Sequence, residues 1–234
     1  GNPLDRHPTW ADTPCPASIK SSDATTVWPA TLMMFADRAA SGIFATTVPL
    51  LLTGAVGYGP RLAGSAIGAA MLVMALATWP LGRLVDRVGA LPVRCVSTVA
   101  YAAGIALIPA AATAGPGVLV PAMSAIGAGA AGLFASSLVL AARGRGGTRG
   151  IAVYYSAGNL GFFLGPLAAG LALSILGGRE PALPDYAAVL AAFALTHVTL
   201  TAAAGLALAL ARRAGRPTAP PASRLVQGRS PDLR

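Results

Sequence analysis

Charge is the scarcest property of this chain. Only 11% of its 234 residues are charged, and just eight are acidic. Soluble domains carry about 25% charged residues and have far lower mean hydropathy than the +0.65 found here. A soluble globular domain is therefore excluded. Cysteine is nearly absent too: Cys15 and Cys95 offer neither a disulfide framework nor metal-ligand spacing. Aromatic residues are 6% of the chain and do not interleave with the basic ones, so the net charge of +9 does not describe a nucleic-acid surface. A phosphate-cradling Gly-Lys-Ser/Thr loop is missing, which removes support for ATP-driven transport. The first 26 residues, broken by Pro3, Pro8, Pro14 and Pro16, lack the apolar core of a signal peptide.

What the chain has instead is long apolar runs. Six stretches, Val27–Thr53, Leu62–Leu81, Cys95–Thr113, Val118–Ala142, Ile151–Leu176 and Tyr186–Ala211, are 19 to 27 residues long. Together they hold two charges, Asp37 and Arg38. About 20 helical residues cross a hydrocarbon core of about 30 Å, so each stretch is a membrane span. In lipid the backbone must satisfy itself, and the alternation of barrel strands is missing, so the spans are helices. The expected fold is all-α: a polytopic six-helix transmembrane bundle over 27–211, behind a polar lead-in over 1–26 and before a basic, flexible tail over 212–234. Glycine and proline punctuate every break, as at Gly57, Gly59 and Pro60, or Gly115, Pro116 and Gly117.

Fourteen Lys and Arg fall on one side of these spans and two, Arg61 and Arg179, on the other. The positive-inside rule places both termini in the cytoplasm of a multi-pass protein of the cell inner (plasma) membrane. Trp28, Tyr58, Trp79, Tyr154, Tyr155 and Tyr186 lie near span ends, where amphipathic rings prefer to sit. Gly64/Gly68 and Gly161/Gly165 are spaced four apart, which predicts close helix packing.

The most informative segment is Gly82-Arg-Leu-Val-Asp86-Arg87-Val-Gly89, followed by Arg94, between the second and third spans. It resembles the signature loop G-x-L-x-D-R-x-G-R-[RK] of the major facilitator superfamily, departing from it at Ala90 and Leu91. A second match begins at Arg149-Gly150 and runs through Gly158-Asn159-Leu-Gly161-Phe-Phe-Leu-Gly165-Pro166 to Gly170. That stretch is similar to the family's glycine-proline motif, with Ala169 at one glycine. A buried proline kinks a spanning helix and the glycines give it a smooth face, a device that serves packing and gating alike. The resemblance implies one six-helix half of a secondary transporter that moves a small solute by alternating access. Gly82, Asp86, Arg87, Gly89 and Arg94 then form a gating loop. Gly161, Gly165, Pro166 and Gly170 form a gating helix.

Such a half needs a partner: the other half in the same chain, or a second copy in a homodimer. The degenerate loop motif, the long lead-in and the absence of an initiator Met favour the second half of a longer chain. A non-transporting scaffold is the remaining alternative, against which Asp37 and Asp86 count.

Charges at membrane depth are costly and usually face a cavity or a partner. Asp37, Arg38 and Ser41, one turn on, are accordingly the candidate substrate or proton pathway, together with Asn159. Alternatively Asp37 and Arg38 sit at the interface and snorkel. Asn159 and His197 read more readily as helix–helix hydrogen bonds, His197 the weaker candidate because the resemblance puts the sixth span at the lipid-facing periphery. Ser124 lacks the glycine two residues before it that an intramembrane serine protease requires, and no enzymatic chemistry is expected. No cofactor or metal is expected either. The expected partners are the lipid bilayer, a small-molecule substrate and the other half.

Overall fold

Apolar runs of this length have one low-energy form in lipid, and each folds as a long α-helix. The structure is a computed structural model that describes residues 24–143 and 147–214. Nearly all of the lead-in and the tail lie outside the described residues. The helices are α1 (Ala24–Leu50), α2 (Pro60–Val88), α3 (Ala90–Thr113), α4 (Pro116–Arg143), α5 (Gly147–Gly177) and α6 (Leu183–Ala214). A π-helical turn, Leu51–Ala55, extends α1.

Among the described residues, α2 to α6 are each long and apolar enough to cross a membrane. α1 is equally long but more polar, because it carries Asp37, Arg38, Ser41 and several threonines. Its neighbours take up that polarity.

The helix ends follow local chemistry. Pro60 and Pro116 open α2 and α4, where the missing N–H is no loss and the fixed φ suits a helix. Asp185 Oδ2 accepts from the Ala182 N–H at 2.8 Å at the start of α6. One boundary differs from expectation. The second span was read as ending at Leu81, before the charges, yet α2 continues to Val88 and carries Gly82, Asp86 and Arg87 on its last turns. A solvated helix end tolerates charge freely. What stops α2 is Gly89, whose φ of +96° strains any L side chain. The helix resumes at Ala90, so the link between α2 and α3 is this one residue.

Packing divides the bundle into two triplets. α1 lies against α5 and α6, and α4 against α2 and α3, while α3 and α6 join the triplets. Exchanging α1 with α4, α2 with α5 and α3 with α6 leaves this pattern unchanged. The two triplets thus have equivalent neighbours. α3 and α4 bury about half of their apolar length, whereas α2 and α5 leave most of theirs uncovered.

The small-residue expectation holds at one seam. A Cβ on Gly161 would strike the Phe35 carbonyl oxygen, and one on Gly165 the Ala39 carbonyl oxygen, so α5 rides directly on the backbone of α1. A Cβ on Gly42 of α1 would strike the Phe162 carbonyl oxygen and the Pro166 ring. At the other seam the expectation fails. Gly64 and Gly68 face open space, and Ala63, Ala66 and Ala70 form the buried stripe of α2, with Gly127 of α4 seated on the Ala70 carbonyl. The glycine pair of α2 therefore makes no close helix contact, and the alanines of that helix make it instead.

Candidate functional site

Asp37 points into the bundle, where it meets two helices remote in sequence. Arg94 Nη2 of α3 donates to Asp37 Oδ1 at 2.8 Å, and also reaches the Met33 carbonyl at 3.4 Å. His197 Nε2 of α6 lies 3.0 Å from the same Oδ1. Donation to a carboxylate requires an imidazole proton on Nε2. All three side chains are buried, with Arg94 the most enclosed at 1% exposure. The Tyr101 ring stands edge-on to His197, with centroids 5.7 Å apart. One carboxylate thus ties α1 to α3 and α6.

Arg94 was expected in the gating loop, as one of fourteen topology charges. It belongs instead to the buried face of α3, because that helix begins at Ala90 rather than near Cys95. Taking it out of the fourteen leaves thirteen against two, so the charge asymmetry survives. His197 also differs from expectation. It sits at the junction of three helices rather than at a lipid-facing edge, and is 3% exposed.

The junction holds unmet polar capacity. Among the described residues, Asp37 Oδ2, Arg94 Nε and Nη1, His197 Nδ1 and the hydroxyls of Thr98 and Thr201 are buried without a hydrogen-bond partner. Most buried polar groups are partnered, so such a concentration marks a place held for reasons beyond packing.

Arg38 faces another way. It borders a cleft of about 40 Å³ between α1 and the α2–α3–α4 triplet, shared with Asp37, Ser41, Tyr101 and Ser137. Ser41 lies on the same face one turn on, and its Oγ donates to the Asp37 carbonyl at 2.9 Å. It shares the cleft without touching the carboxylate.

The other candidates stand apart from this cluster. Asn159 is exposed on the outer face of α5. Asp86 and Arg87 are exposed at the end of α2, and among the described residues Asp86 has no ion-pair partner. Gly170 faces open space, unlike Gly161 and Gly165. Ser124 Oγ donates to the Val120 carbonyl of its own helix at 2.9 Å, and His197 is held by Asp37.

The chain that forms this bundle of long apolar helices, with the acid–base motif at the α2–α3 corner, matches a family profile. The Major Facilitator Superfamily profile aligns with residues 30–231. The chain belongs to the Major Facilitator Superfamily. It is a multi-pass membrane protein of a transporter family. Neither the curated proteins nor the solved structures contain a match to it.

Two members of this buried cluster, Arg94 and His197, do not stand out in the sequence as residues of the membrane interior. A charge count within the spans was the available signal. An isolated carboxylate on α1 requires a donor from another helix, and Arg94 and His197 are the basic residues that the sequence offers near span interiors.

Proposed function

We propose that this chain is one six-helix half of a secondary transporter that moves a small solute by alternating access. The observation that carries the proposal is the Asp37–Arg94–His197 tie. It links α1 to both triplets inside the bundle, where an ionic contact has two discrete states, made or broken. The uncovered apolar lengths of α2 and α5 support a partner half, contributed by the same chain or by a second subunit. The departures at Ala90 and Leu91 favour the second half of a longer transporter. Both termini face the cytoplasm of the inner membrane, on the thirteen-to-two split.

Thiol labelling tests this reading without knowledge of the substrate. On a cysteine-free background, Arg87→Cys should react only from the cytoplasmic side and Thr113→Cys only from the opposite side. Ser41→Cys, in the cleft, should react from both sides in turn. Labelling of Ser41→Cys from one side only would fit a static scaffold and remove the transport reading.

The Asp86 corner is proposed as a gating latch that pairs with a neighbouring helix in one access state. The acid–base pair Asp86 and Arg87, exposed at the end of α2 beside the one-residue link to α3, supports that role. Asp86→Asn should slow transport at least about tenfold, the effect of losing one charge-assisted pair. The amount of inserted protein should stay constant. Full transport in that variant would dismiss the latch.

A further inference from the structure

Within the membrane-spanning interior the described residues carry two arginines, Arg38 and Arg94, and one carboxylate, Asp37. The other described acids, Asp86, Glu180 and Asp185, lie at helix ends or in a turn. Arg94 takes Asp37 as its counter-ion at 2.8 Å. Arg38 is left with an uncompensated charge near the midpoint of the run from Ala24 to Ala55. Among the described residues it has no hydrogen-bond or ion-pair partner. An unpaired guanidinium at that depth is costly, and intramembrane charges face cavities or partners.

The cleft beside Arg38 is suited to one small group. A water needs about 10–15 Å³ of such space, so about 40 Å³ admits the few heavy atoms of a carboxylate or a phosphate edge. Its serine hydroxyls are engaged as donors. Ser41 donates to the Asp37 carbonyl and Ser137 to the Leu133 carbonyl at 2.8 Å. Arg38 brings to the cleft a planar fork that matches carboxylate and phosphate oxygens two at a time, and the Tyr101 ring borders the same space. On α5, Gly158 packs against Met34 and the Arg38 stem, where its missing Cβ leaves room for the long side chain.

We infer that Arg38 is an anion-binding residue and that the transported solute is a small organic anion, held by its carboxylate or phosphate group in this cleft. The inference rests on the transport reading, which names the cleft as part of the pathway. It adds the chemical class of the solute. Asp37 borders the same cleft, and Arg94, which holds its Oδ1, balances its charge.

The test uses the purified full chain in discs of zwitterionic lipid, with thermal unfolding as the readout. Acetate or inorganic phosphate replaces chloride at constant ionic strength, and acetamide serves as the neutral analogue of acetate. One or both anions should raise the unfolding midpoint in a saturable way, and acetamide should not. Arg38→Gln should weaken half-saturation about tenfold to a hundredfold, the loss of a hydrogen-bonded charge pair. Arg38→Lys should retain part of the binding, and Arg61→Gln, at the exposed start of α2, all of it. Equal stabilisation of wild type and Arg38→Gln would overturn the inference, as would equal effects of acetate and acetamide. A parallel arm uses discs containing anionic lipid without added anion. Stabilisation found there alone would assign Arg38 to a lipid headgroup and overturn the solute reading. Anion binding is measured without transport, so two-sided labelling of Ser41→Cys and this binding can fail independently.

Discussion

Asp37→Ala should destabilise the helical bundle more than any other single substitution in α1. Removing one partner of a buried ion pair costs about 3–5 kcal/mol, because the other charge is stranded. Here the stranded group is Arg94, 1% exposed, with a 3.4 Å contact to the Met33 carbonyl as its remaining hydrogen bond. His197 loses its acceptor in the same stroke. Arg94→Met should cost less, since Asp37 keeps His197 as a donor. The double variant Asp37→Leu/Arg94→Met should recover much of the loss, as apolar replacements of buried pairs often do. Detergent-titrated unfolding followed by helical circular dichroism measures all three. If Asp37→Ala lies within about 1 kcal/mol of wild type, the usual range for an exposed pair, the tie is not a buried ionic one.

The second large effect concerns the α1–α5 seam, and its sign reverses along one helix. Gly161→Ala puts a methyl group onto the Phe35 carbonyl, and Gly165→Ala puts one onto the Ala39 carbonyl. The obstacle is backbone, which has no rotamer to yield, so α5 must move away from α1. Overpacking of this kind costs about 1–3 kcal/mol. Gly170→Ala, five residues further on, meets nothing within 4 Å. There the better helix propensity of alanine should add up to about 1 kcal/mol. Gly68→Ala on α2 should behave as Gly170→Ala does, for the same reason. The same unfolding assay reads both directions. A stabilising Gly161→Ala would mean that the seam is looser than the structure has it.

Much of the architecture was legible because lipid leaves the chain few options. The helices and the breaks between them follow from where apolar residues run and where glycine and proline interrupt them. The Gly161/Gly165 seam was legible as well, since a helix bearing glycines at that spacing has few other uses for them. Helix partnership was not. Gly64 and Gly68 obey the same spacing, yet nothing local to α2 says that its alanine stripe, Ala63, Ala66 and Ala70, is the buried face.

The site was half legible for a similar reason. Asp37 announces itself through the cost of a carboxylate in an apolar run. Its partners lie 57 and 160 residues away. Arg94 was hidden by its address: five residues past Gly89, it reads as one more cytoplasmic arginine. Only the early start of α3 turns it inward. His197 was discounted because one polar residue on a last span has many inert explanations. Its position facing Asp37 depends on how α6 packs against α1 and α3.

Gly89 has a further consequence. As the sole residue between α2 and α3, it acts as an indexing pin that fixes the angular phase of one helix against the other. A helix advances about 100° per residue. One residue removed at this corner would leave no link at all, and α3 could then keep Arg94 on the Asp37 bearing only by unwinding a turn end. The corner is intolerant of shortening, not only of side-chain change.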